Sequence, residues 1–249
     1  AIYKPLWEKL DELAGRIDYL HNEKGIGLYV SATEAVMVGF PFEVEEKIVI
    51  DEQFEWSELA FLYGLSVPYY FLLLSEKKVR LLTGQLNHLE EIHNEDFPDV
   101  YADTHEYSKP GRASSYSPQA NVKGFEKDKS IVEEIRLHDY FKVVDKHLHA
   151  VADDKSPIII AAPIEEIGIF NQSTVHQDRI VARIHGNHFH KSIGELGEMA
   201  FAHIMDHVHQ KHTGLVATFT EAIGFGKGIQ DIREIWSAAK AGRVRSLLM

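Results

Sequence analysis

Apolar residues recur at helical spacing near the start of the chain. The residues concerned follow one another at intervals of four and three, and are Leu6, Leu10, Leu13, Ile17 and Leu20. This spacing predicts an amphipathic helix over residues 4–20, because it places all of them on one face. The segments 25–31 and 35–40 predict a β-hairpin, and residues 43–51 predict a third strand. A short helix is predicted over residues 54–63.

The pattern changes near Pro68, where a second region begins. The apolar run from Tyr69 to Leu74 predicts a buried strand, a polar turn follows, and residues 79–84 and 87–93 predict two further strands. Farther along, residues 156–162 form an apolar run bounded by acidic residues and Pro163. Such a run is typical of a central parallel strand.

Helix starts can be recognised from their capping residues. Ser130 with Glu133 forms a capping-box pattern that predicts a long helix over residues 130–151, and Ser192 with Glu195 predicts another over residues 192–212. Further elements are predicted as helices over 163–170, 213–223 and 229–241, and as a strand over 243–249. Strands followed by alternating helices and strands indicate an α/β fold.

Charge narrows the classes of function. The 249 residues include 26 Lys and Arg and 38 Asp and Glu, a net charge of −12, which argues against a general nucleic-acid coat protein. The chain has no cysteine, so disulfide scaffolds, thiol catalysis and cysteine-based metal sites are excluded. The longest apolar runs are strand-sized, and we therefore expect no membrane span.

One segment has the opposite charge. A loop is predicted over residues 94–130, and its part from 107 to 130 carries five basic and two acidic side chains, two prolines and no hydrophobic period. Loops of this length within a compact domain are usually either functional or disordered. A solvated insertion and a binding loop are both compatible with this pattern.

Histidines supply the second candidate chemistry. His203 and His207 lie one helical turn apart, and two imidazoles so placed can share a metal ion. A metalloprotease helix would need Glu directly after the first histidine, where Ile204 stands. No spacing fixes a third ligand, and surface histidines without a metal are the alternative. We expect no cofactor.

An ordered series of segments resembles a known family. The segments are Tyr-Phe-Leu-Leu-Leu-Ser-Glu-Lys-Lys-Val-Arg-Leu-Leu-Thr-Gly from Tyr70, Leu-Glu-Glu-Ile from Leu89, Asp-Phe-Pro-Asp from Asp96, Asp-Tyr-Phe-Lys-Val-Val-Asp-Lys-His-Leu from Asp139, Pro-Ile-Ile-Ile-Ala-Ala-Pro from Pro157, His-Gly-Asn from His185, and residues 229–249. Their order resembles the middle domain of archaeal and eukaryotic class 1 peptide-chain release factors and Pelota. It resembles more closely their bacterial relatives, the bacterial archaeo-eukaryotic release factor (BaeRF) proteins.

The resemblance implies a domain organisation. Residues 1–67 would form an N-terminal α+β region, and residues 68–213 a release-factor middle-domain-like α/β domain of the ribosomal L18/S11-like type. Residues 214–249 would supply the helices and first strand of a truncated L7Ae-like third domain. The implied function is that of a cytoplasmic, ribosome-associated protein in translation termination or ribosome rescue.

The catalytic motif of release factors is incomplete here. In that family the long loop carries Gly-Arg-Gly-Gly-Gln, which positions water at the ester of peptidyl-tRNA. Gly111 and Arg112 match this motif, but Ala113, Ser114 and Ser115 stand where Gly-Gly-Gln would be. Glycines allow positive φ and close approach to RNA, which Ala and Ser resist. We expect little or no peptidyl-tRNA hydrolysis and assign no catalytic residue.

The predicted partner is ribosomal or transfer RNA. The basic residues expected to contact its phosphates, and the residues of the loop tip, are Lys109, Gly111, Arg112, Ser114, Ser115, Lys123, Lys127 and Lys129. The alternative is a non-ribosomal protein with the same fold, either a protein-binding module or a metal-assisted hydrolase that uses the histidines, because a fold does not transmit an activity.

Overall fold

The computed structural model of the protein describes residues 3–101 and 122–247, and their side chains except at 122–133. The helices in these ranges are α1 (Lys4–Ala14), α2 (Ser57–Leu65), α3 (Val122–Val151), α4 (Ile164–Ser173), α5 (Ile193–Gly224) and α6 (Ile232–Lys240). The strands are β1 (Gly25–Val30), β2 (Ala35–Phe40), β3 (Tyr69–Leu74), β4 (Lys78–Gln85), β5 (His88–Glu91), β6 (Asp99–Val100), β7 (Ile158–Ala162) and β8 (Ile180–His185). The fold is mixed α/β, as predicted.

The first region contains a helix packed on a hairpin. Strands β1 and β2 pair antiparallel from Gly25 opposite Phe40 to Val30 opposite Ala35, which confirms the predicted hairpin. Helix α1 lies against both strands but ends at Ala14, before Gly15, so its predicted extension to residue 20 is wrong. Gly favours helix ends because it carries no Cβ.

The third strand predicted over residues 43–51 is also wrong. These residues adopt no regular secondary structure, and residues 45–51 are all exposed. Four of the five residues from 43 to 47 are charged, so this half of the predicted strand has no apolar face with which to pack on the hairpin. The helix predicted over 54–63 is present as α2, shifted by about one turn.

A mixed sheet forms the centre of the second region. Its strand order is β5-β4-β3-β7-β8, with β6 pairing beside β4. Strands β3, β7 and β8 are parallel, whereas β4 is antiparallel to β3, β5 and β6. The predicted central parallel strand is therefore confirmed as β7. Five of the six residues of β3 are buried, as expected for a strand covered on both faces.

The two faces of this sheet carry separate apolar cores. On one face, Leu72 of β3 and Ile160 of β7 pack with Phe141 and Leu148 of α3 and with residues of α4. On the other face, the buried residues that alternate with these along β3 and β7 pack with Leu196, Phe201 and Ile204 of α5 and with α2. The described second region is thus a sheet between two layers of helices.

Several predicted boundaries in this region need correction. Helix α3 begins at Val122, so Ser130 lies inside the helix and is not its N-cap. The loop predicted over 94–130 is therefore wrong at both ends, since residues 99–100 form β6 and residues 122–130 are helical. Helix α5 is continuous through residues 212–214, where a break between two helices was predicted. The capping box of Ser192 and Glu195 at the start of α5 is confirmed. Strand β8 was not predicted at all.

The end of the described chain also differs from the sequence expectation. Residues 243–247 form no strand, and residues 248 and 249 lie outside the described residues. Residues 243–247 pair with no strand of either described sheet, so the predicted strand is wrong over these residues. Among the helices of residues 3–101 and 122–247, none is long and apolar enough to cross a lipid bilayer.

Candidate nucleic-acid interface

The last described residues before the predicted basic loop are held to the sheet by backbone hydrogen bonds. Strand β6 pairs antiparallel with the start of β4, with Lys78 opposite Val100. The amide of Tyr101 then donates a hydrogen bond to the carbonyl oxygen of Lys77 at 3.1 Å. This backbone contact holds the chain to the sheet up to residue 101.

Aromatic packing against α3 also stabilises the position of residue 101. The ring of Tyr101 meets the ring of Tyr140 edge-on at 5.1 Å between centroids. The Tyr140 hydroxyl donates to the carbonyl oxygen of Asp99 at 3.3 Å, and burial raises the pKa of Tyr140 above its usual value. His147 of α3 lies with one ring nitrogen 3.5 Å from a carboxylate oxygen of Asp96 and the other 3.5 Å from one of Asp99.

The chain returns to the described structure at the start of α3. Lys123, Lys127 and Lys129 all lie on the part of this helix that precedes Tyr140. This part, residues 122–139 of the helix, is about 27 Å long at 1.5 Å per residue. Lys123 and Lys127 are one turn apart and share a helix face, whereas Lys129 lies on another.

The other predicted RNA-contact residues cannot be located in this way. Lys109, Gly111, Arg112, Ser114 and Ser115 lie outside the described residues. Their role in binding RNA therefore stays a prediction. The described elements before and after these residues in the sequence are β6 and α3.

Strand β6, which precedes the predicted basic loop, ends at the edge of the sheet where the carboxyl ends of the parallel strands lie. Leu74 ends β3, Ala162 ends β7 and His185 ends β8, so these ends lie along one edge of the sheet. Ligands of open α/β sheets usually bind at this edge. The turn between β3 and β4 places the exposed Lys77 and Lys78 there.

A second turn with histidines occupies the same edge. The residues after β8 include Gly186, whose φ of +119° favours glycine, and His188, whose Nε2 lies 3.1 Å from the carbonyl oxygen of His185. About three strand spacings, or roughly 14 Å, separate β8 from β4 across the sheet. The edge thus presents lysines at one end and imidazoles at the other.

The histidine pair predicted as metal ligands lies on a different surface. His203 and His207 are half-buried on α5, beside Ile204 and Val208 of the core. Burial lowers the pKa of His207, and the charge of Lys211 lowers it further. In the part of the chain that the structure describes, no three or more His, Asp or Glu side chains are arranged to hold a metal ion. Metal binding by this pair stays a prediction.

Sequence reasoning missed a buried polar cluster at the opposite edge. Asp145 of α3 accepts hydrogen bonds from the Thr174 hydroxyl and from the amide of Val175, the latter at 3.2 Å. The ring of His176 is only 5% exposed and stacks on the ring of His149 at 5.5 Å. The α3 residues of this cluster precede its other residues by about 30 positions, so no local sequence motif contains them all.

Arg179 joins this cluster to the strands. Its Nε and Nη2 donate to the carbonyl oxygen of Ser156 at 3.1 and 3.0 Å, and its Nη1 lies 3.4 Å from Nδ1 of His176. Asp153 accepts hydrogen bonds from the amides of Lys155 and Ser156. A hydrogen bond from the Ser156 side chain, followed by these two, lowers the pKa of Asp153 to about 2. The cluster therefore fastens the loop before β7 to the start of β8.

Comparison with known proteins gives one family match. The family model described as "Bacterial archaeo-eukaryotic release factor family 3" matches residues 68–243, which is more than half of the chain. The matched range contains the whole six-stranded sheet, the basic segment and α3 to α6. A search of curated proteins returns no match.

A solved structure described as "Archaeal protein" is also similar. It shares 10% sequence identity with the chain, and the alignment covers 96% of this chain and 66% of that one at a TM-score of 0.27. The chain therefore spans slightly less than two thirds of the length of that structure. A similarity this distant indicates no function.

Proposed function

Because the chain belongs to bacterial archaeo-eukaryotic release factor family 3, we propose that it acts at the ribosome, in translation termination or in rescue of stalled ribosomes. The observation that carries this proposal is the position of the basic segment 107–130 within the matched range. In the sequence it follows β6, which ends at the sheet edge where open α/β folds bind ligands, and its residues 122–130 form the first turns of α3.

The charge distribution supports a local contact with RNA. The whole chain carries a net charge of −12, which opposes a broad RNA-binding surface, but the segment 107–130 is net positive. Lys123, Lys127 and Lys129 add three charges within two turns of α3. Clustered lysine and arginine side chains bind phosphates by releasing counterions.

The finer domain assignment belongs to the same proposal. Residues 68–213 would correspond to the release-factor middle domain of the L18/S11-like type, and residues 214–249 would begin an L7Ae-like domain. A protein that acts on ribosomes in this way would work in the cytoplasm. The continuous helix α5 would then connect the two domains.

Ribosome co-sedimentation over a series of salt concentrations tests the docking. Replacement of the five basic residues of the segment by Glu (Lys109, Arg112, Lys123, Lys127 and Lys129) should weaken binding and reduce the magnitude of the salt slope by about 0.7–0.9 for each phosphate that is no longer neutralised. The matched control reverses five exposed lysines elsewhere, namely Lys142, Lys146, Lys211, Lys227 and Lys240. Unchanged binding and slope in the first variant would contradict docking through this segment.

A peptide-release assay with ribosomes that carry peptidyl-tRNA tests the catalytic part. We expect little or no release by the natural chain, because Ala113, Ser114 and Ser115 replace Gly-Gly-Gln. The triple change Ala113→Gly, Ser114→Gly and Ser115→Gln should create release activity. Efficient release by the unchanged chain would show that the Gly-Gly-Gln tripeptide is not needed here.

A further inference from the structure

A run of exposed residues joins the hairpin to α2 in the N-terminal region. All nine residues from 45 to 53 are exposed, and they include three consecutive large aliphatic side chains. Ile48 is 86% exposed, Val49 50% and Ile50 79%. Three adjacent β-branched residues on a surface are typical of a strand without a partner.

The backbone of this run is available for pairing. Among the residues that the structure describes, no backbone group of residues 43–50 makes a hydrogen bond to another backbone group. A segment with unpaired backbone groups can accept a strand from another chain, since its N–H and C=O groups can form a ladder. The aliphatic side chains would be covered in the same step.

A cleft lies directly at the end of this run. Its volume is about 470 Å³, and its walls include Val49, Asp51, Phe54, Glu55 and Trp56. The indole of Trp56 is 61% exposed, and the carboxylate of Glu55 accepts hydrogen bonds from the Ser57 side chain and amide. These bonds lower the pKa of Glu55, so the group is ionised at neutral pH.

Charge decides which class of partner fits. Residues 1–67 contain five basic and 13 acidic side chains, a net of −8. Lys47, the lysine within the run, pairs with Glu58 at 2.7 Å rather than with the cleft. RNA phosphates and a second copy of this region would both be repelled, whereas a positively charged protein segment would be attracted.

We propose that residues 46–56 bind an extended basic segment of another protein. The segment adds as a strand beside residues 47–50, and one of its arginine side chains enters the cleft. The guanidinium stacks on Trp56 and lies near the carboxylates of Asp51 and Glu55, because arginine combines a planar cation with an apolar stem. This surface lies outside the range that the family model matches and is separate from the proposed RNA contacts.

Fluorescence of Trp56 in the full chain tests the proposal, with Trp7→Phe and Trp236→Phe present so that Trp56 is the sole indole. The probe is a ten-residue peptide that alternates arginine and valine, compared with the same peptide in which neutral citrulline replaces each arginine. We expect saturable binding of the arginine peptide and at least tenfold weaker binding of the citrulline peptide. Equal binding of the two would overturn the proposal.

Two variants separate the cleft from the strand. Asp51→Asn with Glu55→Gln should raise the Kd of the arginine peptide at least tenfold, whereas the control pair Glu43→Gln with Glu45→Gln, which removes the same charge outside the cleft, should change it less than threefold. Ile48→Pro, at a position that does not line the cleft, removes one unpaired N–H and should also weaken binding at least tenfold. Equal effects of the two charge pairs, or no effect of Ile48→Pro, would contradict the proposal.

Other occupants of the surface have their own outcomes. If sedimentation of the unliganded chain shows a dimer that Ile48→Pro abolishes, the partner is a second copy and the proposal is wrong. If a single-stranded RNA oligonucleotide displaces the arginine peptide and binds Trp56 itself, the assignment to a basic protein is wrong. A monomer that binds the arginine peptide and not the RNA supports it. The ribosome assay above is independent of each of these outcomes.

Discussion

Gly197 shows how a single missing side chain positions a helix. It is buried on α5, where the helix crosses the turn between β4 and β5. A Cβ atom at this position would lie 2.0 Å from the carbonyl oxygen of Asn87, well inside van der Waals contact. Leu86, next to that turn residue, has a positive φ of 56°, so the turn itself has little freedom to move.

Gly197→Ala should therefore destabilise the protein by about 1–3 kcal/mol, because helix and turn must separate. Gly214→Ala on the same helix is the matched control, since nothing lies within 4 Å of its added Cβ. That change should raise stability by up to about 1 kcal/mol through helix propensity. Urea unfolding of both variants measures the difference, and equal effects would contradict the close contact at Gly197.

His176 couples stability to pH. Burial lowers the pKa of His176, Asp145 and Asp154 oppose this, and Arg179 and His149 add to it. The unfolded chain then binds a proton near pH 6.5 that the folded chain does not bind, so stability falls as the pH decreases below about 6.5. One such proton corresponds to about 1.4 kcal/mol per pH unit.

The variant His176→Gln should flatten this dependence. Unfolding free energies measured between pH 7 and pH 5 should fall less steeply than in the natural chain, whatever the variant's absolute stability. The part due to His207, whose pKa burial also lowers, should remain. Replacement of the exposed His185 by Gln is the control for the loss of an imidazole outside the buried cluster, and an equal flattening by both variants would contradict the assignment to His176.

At the scale of elements, the sequence predicts two helices over residues 192–212 and 213–223, whereas the structure has one continuous helix, α5. Its 32 residues run through Thr213, whose hydroxyl donates to the carbonyl oxygen of His209 at 3.0 Å. A second helix that began at Thr213 would tolerate proline there, because the first turn of a helix needs no amide hydrogen bond.

Thr213→Pro should cost about 3 kcal/mol or more, because in a helix interior proline removes one hydrogen bond and clashes with the preceding turn. Thr213→Ala, the control, should be nearly neutral. Circular dichroism and thermal unfolding would measure both changes. A fully helical and equally stable proline variant would contradict a continuous α5.

The sequence predicted elements whose local pattern and burial agree. Strands β3 and β7 are apolar runs covered on both faces, and the Ser192 capping box marks a helix start by itself. The prediction of a strand at 43–51 is wrong because three consecutive β-branched residues, Ile48 to Ile50, have the composition of a strand whether or not a partner strand is present. Strand β8 was missed because Arg183 interrupts its apolar run, and Asn171 and Gln177 bind that arginine from outside the strand.

The candidate site was predictable only in part, for a related reason. Charge along the chain identified the segment 107–130, since charge can be counted without a fold. Lys77 and Lys78 lie beside β6, the last strand before that segment, although they precede the segment by some 30 residues. This position depends on the pairing of β6 with β4, which no local pattern reports.

At the scale of the whole molecule, Asn87 links the N-terminal region to the sheet and to α5. Its Nδ2 donates to the carboxylate of Glu23 at 3.0 Å and to that of Glu198 at 2.9 Å. Lys24 pairs with the other oxygen of Glu198 at 3.1 Å. Without the Asn87 donor, the Glu23 and Glu198 carboxylates would lose their common hydrogen-bond partner.

Asn87→Ala should therefore loosen this junction at a cost of about 1–3 kcal/mol, the range for hydrogen bonds to charged groups. Hydrogen exchange should become faster at the amides of β1 and β2 while those of β3 and β7 keep their protection. The exposed Asn22 offers the control, as Asn22→Ala removes the same amide from a nearby position. Uniformly faster exchange across both regions would show that they do not open separately.

The parallel pairing of β3 with β7 also has a kinetic consequence. Tyr70 lies opposite Ile158, so the two strands are made roughly 90 residues apart, and contacts this distant in sequence slow folding. Strand β4 can pair with β3, and β5 with β4, as soon as they are made, because short turns connect them. At about 5–20 residues per second, synthesis from the end of β3 to the end of β7 takes roughly 4 to 18 s. During that interval one edge of the apolar strand β3 has no neighbour, which exposes β3 to pairing with another nascent chain.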